Sequence, residues 1–265
     1  MSAVPSLARP AGARPSRLAA VLRDQAAGIV PILVLLALWQ AAVVALGVQP
    51  FILPTPTAIA ARVWSDLTTD IPAHLPITLA EVLLGFAAAA AVGLLLGVGV
   101  ALVPLVERAV YPCVLAIQTV PKVAIAPLLI IWFGFGIQSK VITAALIAFF
   151  PILVNVVAGL RSVDARRLML MRAYGATAWQ TFLKVRLPSM LPFLFAGLEI
   201  GLVFSIIGVI VGEFIGSSSG LGVLIIQRQG TVDVAGVFSV LVYLSLLGLV
   251  LNAVLTWVKR RLIYW

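Results

Sequence analysis

Six stretches of the chain are apolar over lengths that suit a helix crossing a bilayer, and they constrain the fold most. The runs cover residues 28–48, 76–103, 110–133, 141–160, 188–215 and 234–258. A transmembrane helix needs about 20 predominantly apolar residues. Because lipid offers the backbone no hydrogen-bond partners, helices are the structure expected for such runs. The sequence therefore predicts an all-α polytopic membrane protein with about six transmembrane helices.

The composition excludes an ordinary soluble domain. The chain is 63% hydrophobic and 10% charged, whereas soluble domains average about 45–50% apolar and roughly 25% charged residues. A secretory signal peptide would have a shorter apolar core than the first run, of about 7–15 residues. Since the first run is longer and further runs follow it, we expect a retained helix rather than a cleaved signal.

Most of the 18 basic residues lie in three segments, and this distribution predicts the orientation. The segments contain Arg9, Arg14, Arg17 and Arg23 near the N-terminus, Arg161, Arg166, Arg167, Arg172, Lys184 and Arg186 in one loop, and Lys259, Arg260 and Arg261 at the C-terminus. The positive-inside rule places these segments in the cytoplasm. Topology and contact with lipid headgroups also account for the net charge of +9, so we expect membrane lipid and no nucleic acid as a partner.

The predicted spans divide the chain into five parts. These are a basic cytoplasmic tail (1–27), the first transmembrane helix (28–48), a periplasmic segment (49–75), a five-helix core (76–260) and a cytoplasmic C-terminal tail (261–265). The core contains the cytoplasmic loop 161–187, and the periplasmic segment contains a possible short interfacial helix at residues 57–67.

Small residues recur at helical spacing in two of the spans. They are Gly85, Ala89, Gly93, Gly97 and Ala101 in the second span, and Gly197, Gly201, Ser205, Gly208, Gly212 and Gly216 in the fifth. Membrane helices associate through such small residues, which predicts close packing inside the bundle. The alternative is that these faces slide past another helix or subunit during gating.

Polar residues inside the spans are the candidates for a translocation path, because they are costly to place in lipid. They are Glu81, Gln118, Thr119, Lys122, Asn155, Glu199 and Glu213. The alternative roles are interhelical hydrogen bonds, snorkelling to the interface, or an internal ion pair such as Glu81–Lys122. The segment AIQTVPKVAIAP favours a path, since proline-broken helices are tolerated where they line a cavity or contact protein.

The chain lacks the constellations of a catalytic site. It has no GxxxxGK[ST] phosphate-binding loop, and with His74 and Cys113 as its single histidine and cysteine it cannot form a His/Cys metal site. The GSSSG at 216–220 resembles a nucleophile elbow but lacks the strand–turn–helix context. We therefore expect a protein that is not an enzyme and that holds no metal or cofactor itself.

The polar stretch MRAYGATAWQTFLKVRLPSMLP at 171–192 predicts a compact helix–Gly–helix element. The first helix would end at Gly175 as a C-cap, and Thr177 with Gln180 fits a capping box that starts a second helix ending near Pro188. Two interpretations remain open. The element lies on the membrane surface with its basic residues on headgroups, or it docks on a soluble partner through Trp, Phe and Arg side chains.

The same stretch resembles the cytoplasmic loop of ABC importer permeases. The pattern GA…F…V.LP…P is present from Gly175-Ala176 through Phe182 to Pro188 and Pro192. Further segments resemble the nitrate/sulfonate/taurine-type branch of that family. They are LPTPTAIA at 53–60, ITLAEVLLGF at 77–86, VPKVAIAPLLIIWFGFGIQSK at 120–140, FFPILVNVVAGLRSVD at 149–164 and GEFIGSSSGLGVLI at 212–225.

The resemblance implies a type I ABC importer permease in the bacterial inner membrane. It implies a homodimer with a second copy of the chain, two ABC ATPase subunits that carry ATP and Mg, and a periplasmic or lipid-anchored substrate-binding protein. The cargo would be a small anion such as a sulfonate, taurine or nitrate, or alternatively a pyrimidine-type vitamin precursor or another small organic solute. An ATP-independent carrier or channel is the alternative from another class.

The resemblance also assigns the contact with the ATPase to the 169–188 loop. The residues implied are Met169, Met171, Arg172, Tyr174, Gly175, Ala176, Thr177, Trp179, Phe182 and Pro188. One feature departs from the family, because the usual Glu-Ala-Ala before the glycine is replaced by Met169, Leu170 and Met171. The methionines would offer adaptable apolar contacts in place of the acidic one.

Overall fold

The computed structural model describes residues 17–264, including all side chains in that range except those of residues 17–29, 115 and 118. The helices are α1 (Arg17–Ala45), α2 (Pro56–Asp66), α3 (Ile71–Leu102), α4 (Pro104–Thr119), α5 (Ala126–Phe133), α6 (Ile137–Arg161), α7 (Ala165–Ala173), α8 (Ala178–Thr181), α9 (Leu187–Gly216), α10 (Leu221–Gly230) and α11 (Val234–Leu262). A 3₁₀ turn, Lys122–Ile125, precedes α5, and a π-helical turn, Phe182–Arg186, joins α8 to α9. The predicted all-α membrane fold is confirmed.

Within residues 17–264, four helices are long and apolar enough to cross a membrane: Ile71–Leu102, Ile137–Arg161, Ala178–Gly216 and Val234–Leu262. The other two predicted spans correspond to shorter apolar segments, Val30–Ala45 and Lys122–Phe133.

The predicted third span, 110–133, is interrupted rather than continuous. Helix α4 ends at Thr119, and Val120 and Pro121 are extended before the 3₁₀ turn begins at Lys122. The residue before a proline is pushed out of the helical region by a steric clash with the proline ring, which explains the break at Val120.

The first helix begins earlier than the sequence suggested. Helix α1 starts at Arg17, inside the segment predicted as a tail, so Pro31 lies within the helix and not near its start. The added turns are rich in Ala, Leu and Arg, which are strong helix formers. The helix is attached to α2 through Gln40, whose side-chain oxygen accepts hydrogen bonds from the Thr57 backbone and hydroxyl at 3.3 and 3.2 Å.

The centre of the bundle is formed by α3, α6 and α9, each of which contacts the other two. A Cβ atom placed on Gly93 of α3 would lie 2.9 Å from Ile152 Cβ of α6. A Cβ on Gly208 of α9 would lie 2.6 Å from the Ala144 Cα atom of α6. The small-residue stripes therefore form the contacts that bring these backbones together, and the predicted close packing is confirmed.

The end of the bundle near the start of α3 is closed by α2, α10 and α11. Their buried apolar side chains form one cluster, which contains Ile71, Leu221, Leu224, Ile225, Val240 and Tyr243. The predicted interfacial helix at 57–67 is present as α2, which Thr55 caps by accepting from the Ala58 N–H at 3.2 Å. No sequence pattern predicts α10, because its ten residues are too short for a clear helical period.

The contact at Gly208 generates a stability prediction. Gly208→Ala should destabilise the protein by about 1–3 kcal/mol, the usual cost of overpacking, because the new methyl group meets backbone that cannot rotate away. Gly248→Ala is the matched control, since its Cβ would lie 3.5 Å from the flexible Ile206 Cδ1. Thermal unfolding of the purified protein in detergent measures both, and equal midpoints would contradict the packing described here.

Candidate functional site

A compact knob, residues 165–181, projects between α6 and α9. Asp164 begins it by accepting from the Arg166 N–H at 2.8 Å. Helix α7 ends through Gly175, whose φ of +66° is costly for residues with a side chain. Thr177 and Gln180 form the predicted capping box, with reciprocal bonds of 2.9 and 3.2 Å. Local interactions thus define the helix ends of the knob.

The outer surface of the knob is aromatic and exposed. Tyr174 is 80% exposed and Trp179 67% exposed. The Trp179 ring stacks on Phe182, with centroids 5.8 Å apart and planes 18° apart. Exposed aromatic side chains of this kind are typical of the central contacts in protein interfaces.

The side of the knob next to the end of α3 lines a cavity of about 400 Å³. It is lined by Leu102, Leu168, Arg172, Ala176, Ala178, Thr181, Phe182 and Arg186. The structure therefore places half of the ten loop residues that the sequence singled out on this cavity or on the aromatic face, and Pro188 lines a different cavity. Thr177 serves the fold of the knob through its capping bond.

The position of the missing acidic residue is occupied by an exposed methionine. Met169 is 66% exposed, whereas Met171 is half-buried. Asp164 is committed to the start of α7 and does not replace the acid. Any partner contact at Met169 must therefore be apolar.

The second helix of the knob continues into the membrane instead of ending at Pro188 as predicted. Leu187 N–H bonds to the Phe182 carbonyl, five residues earlier, which widens the turn before the proline. Pro188, which has no N–H to donate, lies directly after this wide turn as the second residue of α9. The result is one helix from Ala178 to Gly216, which is about 58 Å long at 1.5 Å per residue.

Lys122 is the path candidate with the least satisfied charge. Its ammonium lies 5.5 Å from the centroid of the Phe150 ring. Both residues line a cavity of about 330 Å³, together with Val120, Pro121, Val123, Ile147, Pro151 and Phe204. Among the described residues, no carboxylate forms a salt bridge with Lys122.

The neighbouring polar candidates are satisfied within their own helices. The Thr119 hydroxyl donates to the Ala116 carbonyl at 2.7 Å, and the Asn155 amide donates to the Pro151 carbonyl at 2.8 Å. Gln118 lies in α4, and its side chain is outside the described residues.

Glu81 pairs with Lys140 and not with Lys122 as the sequence suggested. The Lys140 Nζ atom lies 2.8 Å from Glu81 Oε1 and 2.6 Å from Ser217 Oγ, and both charged side chains are buried. The two partners are 59 residues apart in sequence. Lys140 begins α6 beside α3, whereas Lys122 lies beyond the helix break.

Glu213 fastens the turn between α9 and α10. Its carboxylate accepts from the Thr78 hydroxyl at 2.7 Å and from the Gly222 N–H. Thr78 Oγ1 in turn accepts from the Leu221 N–H at 2.8 Å, and His74 Nδ1 accepts from the Gly220 N–H at 3.0 Å. We call residues 213–222 the elbow.

Glu199 is paired with Lys259 of α11, at 2.9 Å. Its carboxylate thus joins two spans. Of the seven polar candidates, the structure gives Glu81, Glu199 and Glu213 partners on other helices, and leaves Lys122 facing a cavity.

A charged network that the sequence did not reveal holds α2, α10 and α11 together. Arg228 binds both oxygens of Asp66, at 2.7 and 2.8 Å, and Asp70 at 2.8 Å. Burial disfavours its charge, but the two carboxylates outweigh this effect and raise the pKa of the Arg228 guanidinium. Asp66 also accepts from the Ser239 hydroxyl at 2.5 Å. The sequence separations of 158 to 173 residues explain why no local pattern predicts it.

The fold is similar to that of a solved transporter. An inward-facing structure of the MetNI methionine ABC transporter matches 72% of this chain and 93% of the compared chain, with a TM-score of 0.59 and 23% identity. At this identity the match shows the fold alone.

Sequence comparison gives nearer relatives over almost the whole length. The formylaminopyrimidine transport permease protein ThiX of Halalkalibacterium halodurans is 37% identical over 88% of this chain and 93% of its own. The riboflavin transport system permease protein RibX of Chloroflexus aurantiacus is 39% identical over 89% and 88%. The putative aliphatic sulfonates transport permease protein SsuC of Bacillus subtilis is 31% identical over 88% and 84%.

The family assignment comes from residues 89–264, which match the model of the binding-protein-dependent transport system inner membrane component. This region includes the knob, the proline-broken segment, α6, α9 and the elbow. The chain therefore belongs to this family and is an inner-membrane permease subunit of an ABC importer for a small solute.

Proposed function

We propose that two copies of this chain form the membrane part of the importer, and that the knob of each seats on a separate ATPase subunit. The observation that carries the proposal is the self-capped, exposed aromatic knob that continues directly into a spanning helix. A binding protein would deliver the cargo at the opposite end of the bundle, where α2 and α10 lie. This arrangement places both termini and the knob in the cytoplasm, in agreement with the basic residues of the loop.

The exposed rings would supply the main contact energy of the knob. Tyr174 and Trp179 present large apolar surfaces with few rotatable bonds, and Arg172 adds a cation beside them. Met169 and Met171 would fit the irregular wall of a groove, as flexible thioethers do. The knob would therefore bind without the acidic contact that the family usually has.

The continuous helix from Ala178 to Gly216 would transmit ATPase movement across the membrane. A displacement of the knob reaches the elbow through one helix, without a loop that could absorb it. The elbow is joined to α10 by the hydrogen bond between Glu213 and Gly222. Arg228, the centre of the charged network, lies in α10. Closure of the ATPases would thus change the opposite end of the bundle, where substrate enters.

Lys122 supports a small anion as the cargo. Lys140 and Lys259 are neutralised by Glu81 and Glu199, whereas Lys122 faces a cavity beside an aromatic ring. An ionisable side chain within the membrane that lacks a partner is by default a functional-site candidate. A sulfonate, taurine or nitrate would pair with its charge.

The aromatic lining favours a second candidate for the cargo. Phe150 and Phe204 would stack on a flat ring, which suits a pyrimidine-type vitamin precursor. The two cargoes differ in charge, so Lys122 discriminates between them.

Coupling is tested at Gly175. Gly175→Val should lower transport and ATPase co-purification by about tenfold or more, since a β-branched residue at positive φ costs roughly 1–2 kcal/mol and reshapes the knob. Gly47→Val is the matched control, because Gly47 has a φ of +60° and open space around it but lies in a distant turn. Equal effects of the two variants would contradict the coupling role.

The cargo is tested in proteoliposomes that contain the chain, its ATPase and its binding protein. We expect ATP-dependent uptake of labelled taurine, an alkanesulfonate or nitrate, lowered about tenfold or more by Lys122→Gln, since tenfold corresponds to about 1.4 kcal/mol. Lys122→Arg should restore uptake of the anion. Uptake of only an aminopyrimidine would contradict the anion assignment, and equal uptake without the ATPase would contradict the proposed importer.

A further inference from the structure

A second cavity, of about 370 Å³, lies between α7 and the start of α9. It is lined by Arg167, Lys184, Val185, Pro188, Ser189 and Pro192. We call it the basic groove. Its two cations come from separate elements, Arg167 from α7 and Lys184 from the π-helical turn, and they converge with the Ser189 hydroxyl on one space.

The cations of the groove have no acidic partner within the described part of the chain. Neither Arg167 nor Lys184 forms a salt bridge there. The carboxylate adjacent in sequence, Asp164, accepts from the backbone of Arg166. The groove is thus a concentration of uncompensated positive charge with hydrogen-bond donors, which suits a phosphate oxygen.

The other wall of the groove is apolar and belongs to a spanning helix. Val185, Pro188 and Pro192 form it, and Phe193, the next residue, is exposed at 37%. The groove therefore runs from charged residues beside the knob to the first turns of the helix that enters the bilayer. A ligand that fits both parts has an anionic head and an apolar tail.

The basic groove and the aromatic face proposed to contact the ATPase have different residues, and of the loop residues assigned to the ATPase contact Pro188 alone lines the groove. The 400 Å³ cavity is lined largely by the knob itself, including Arg172 and Ala176. Four of the six residues of the basic groove lie instead at or beyond Val185, where the helix enters the membrane. Basic pockets at the cytoplasmic ends of spanning helices bind anionic headgroups.

We propose that the basic groove binds the phosphodiester headgroup of an anionic phospholipid. Arg167 and Lys184 contact the phosphate, Ser189 donates a hydrogen bond to it, and the lipid chains lie along Pro192 and Phe193. A bound lipid links α7 to the start of α9 and holds the knob at a fixed height relative to the membrane surface.

Lipid binding to the purified full-length chain tests the proposal. The chain is titrated with phosphatidylglycerol and with phosphatidylcholine, and the bound lipid is counted by native mass spectrometry. We expect at least one phosphatidylglycerol to remain bound under conditions that remove phosphatidylcholine. Arg167→Gln combined with Lys184→Gln should weaken phosphatidylglycerol binding about 25-fold, since each basic residue near an anionic surface contributes about fivefold.

The control variant, Arg166→Gln with Arg260→Gln, removes the same charge from exposed positions outside the groove. It should retain the lipid. Equal loss in the two double variants would overturn the site, as would equal retention of phosphatidylcholine.

Two further results identify a different occupant. Inorganic phosphate at millimolar concentration should not displace the lipid, and full displacement would show that the groove binds free phosphate. If the groove variant keeps its lipid but loses the ATPase or its dimeric state, the groove is a protein contact and the lipid proposal is wrong. Because lipid is counted on the isolated chain, these outcomes do not depend on the coupling role of the knob.

Discussion

The close approach of α6 to both α3 and α9 is the contact on which the rest of the structure depends. Glycine at Gly93, Gly97, Gly201 and Gly208 leaves no room for a side chain between the backbones. In lipid such packing replaces the hydrophobic driving force that holds soluble bundles together. Because α9 is held along its length, its two ends keep a defined relation to the other spans, and those ends carry the knob and the elbow.

The charges in the bundle fall into two groups with different consequences. Lys140 with Glu81, and Lys259 with Glu199, neutralise each other between helices, which suits a structural role. Lys122 and the basic side chains of the knob have no carboxylate partner in the part of the chain that the structure describes. Charge without a partner in the protein is available to a ligand, and the proposed ligands are the cargo, the ATPase and an anionic lipid.

Features set by local chemistry were predictable from the sequence. Gly175, the Thr177–Gln180 capping box and the glycine stripes each depend on residues within a few positions of one another. The partners of Glu81, Glu213 and Arg228 were not predictable. These partners, Lys140, Thr78 and Asp66, lie between 59 and 162 residues away in the sequence. The predicted Glu81–Lys122 pair was wrong. Lys122 and Lys140 both carry the charge that Glu81 requires, and the helix break at Pro121 places Lys140 beside Glu81.

The central claim is that the helix from Ala178 to Gly216 transmits movement as one rigid body. Spin labels at Leu183→Cys and Phe214→Cys report the distance between its ends. Cys113→Ser removes the native cysteine, and excess unlabelled chain dilutes dimers that carry two labelled copies. The labelled positions are about 46 Å apart at 1.5 Å per residue, which pulsed electron paramagnetic resonance resolves. In the complex with its ATPase, we expect this distance to stay the same with and without bound ATP. A shortening of about 5 Å, one helical turn, would show that the helix bends near Pro188 or Pro192 and would contradict the account.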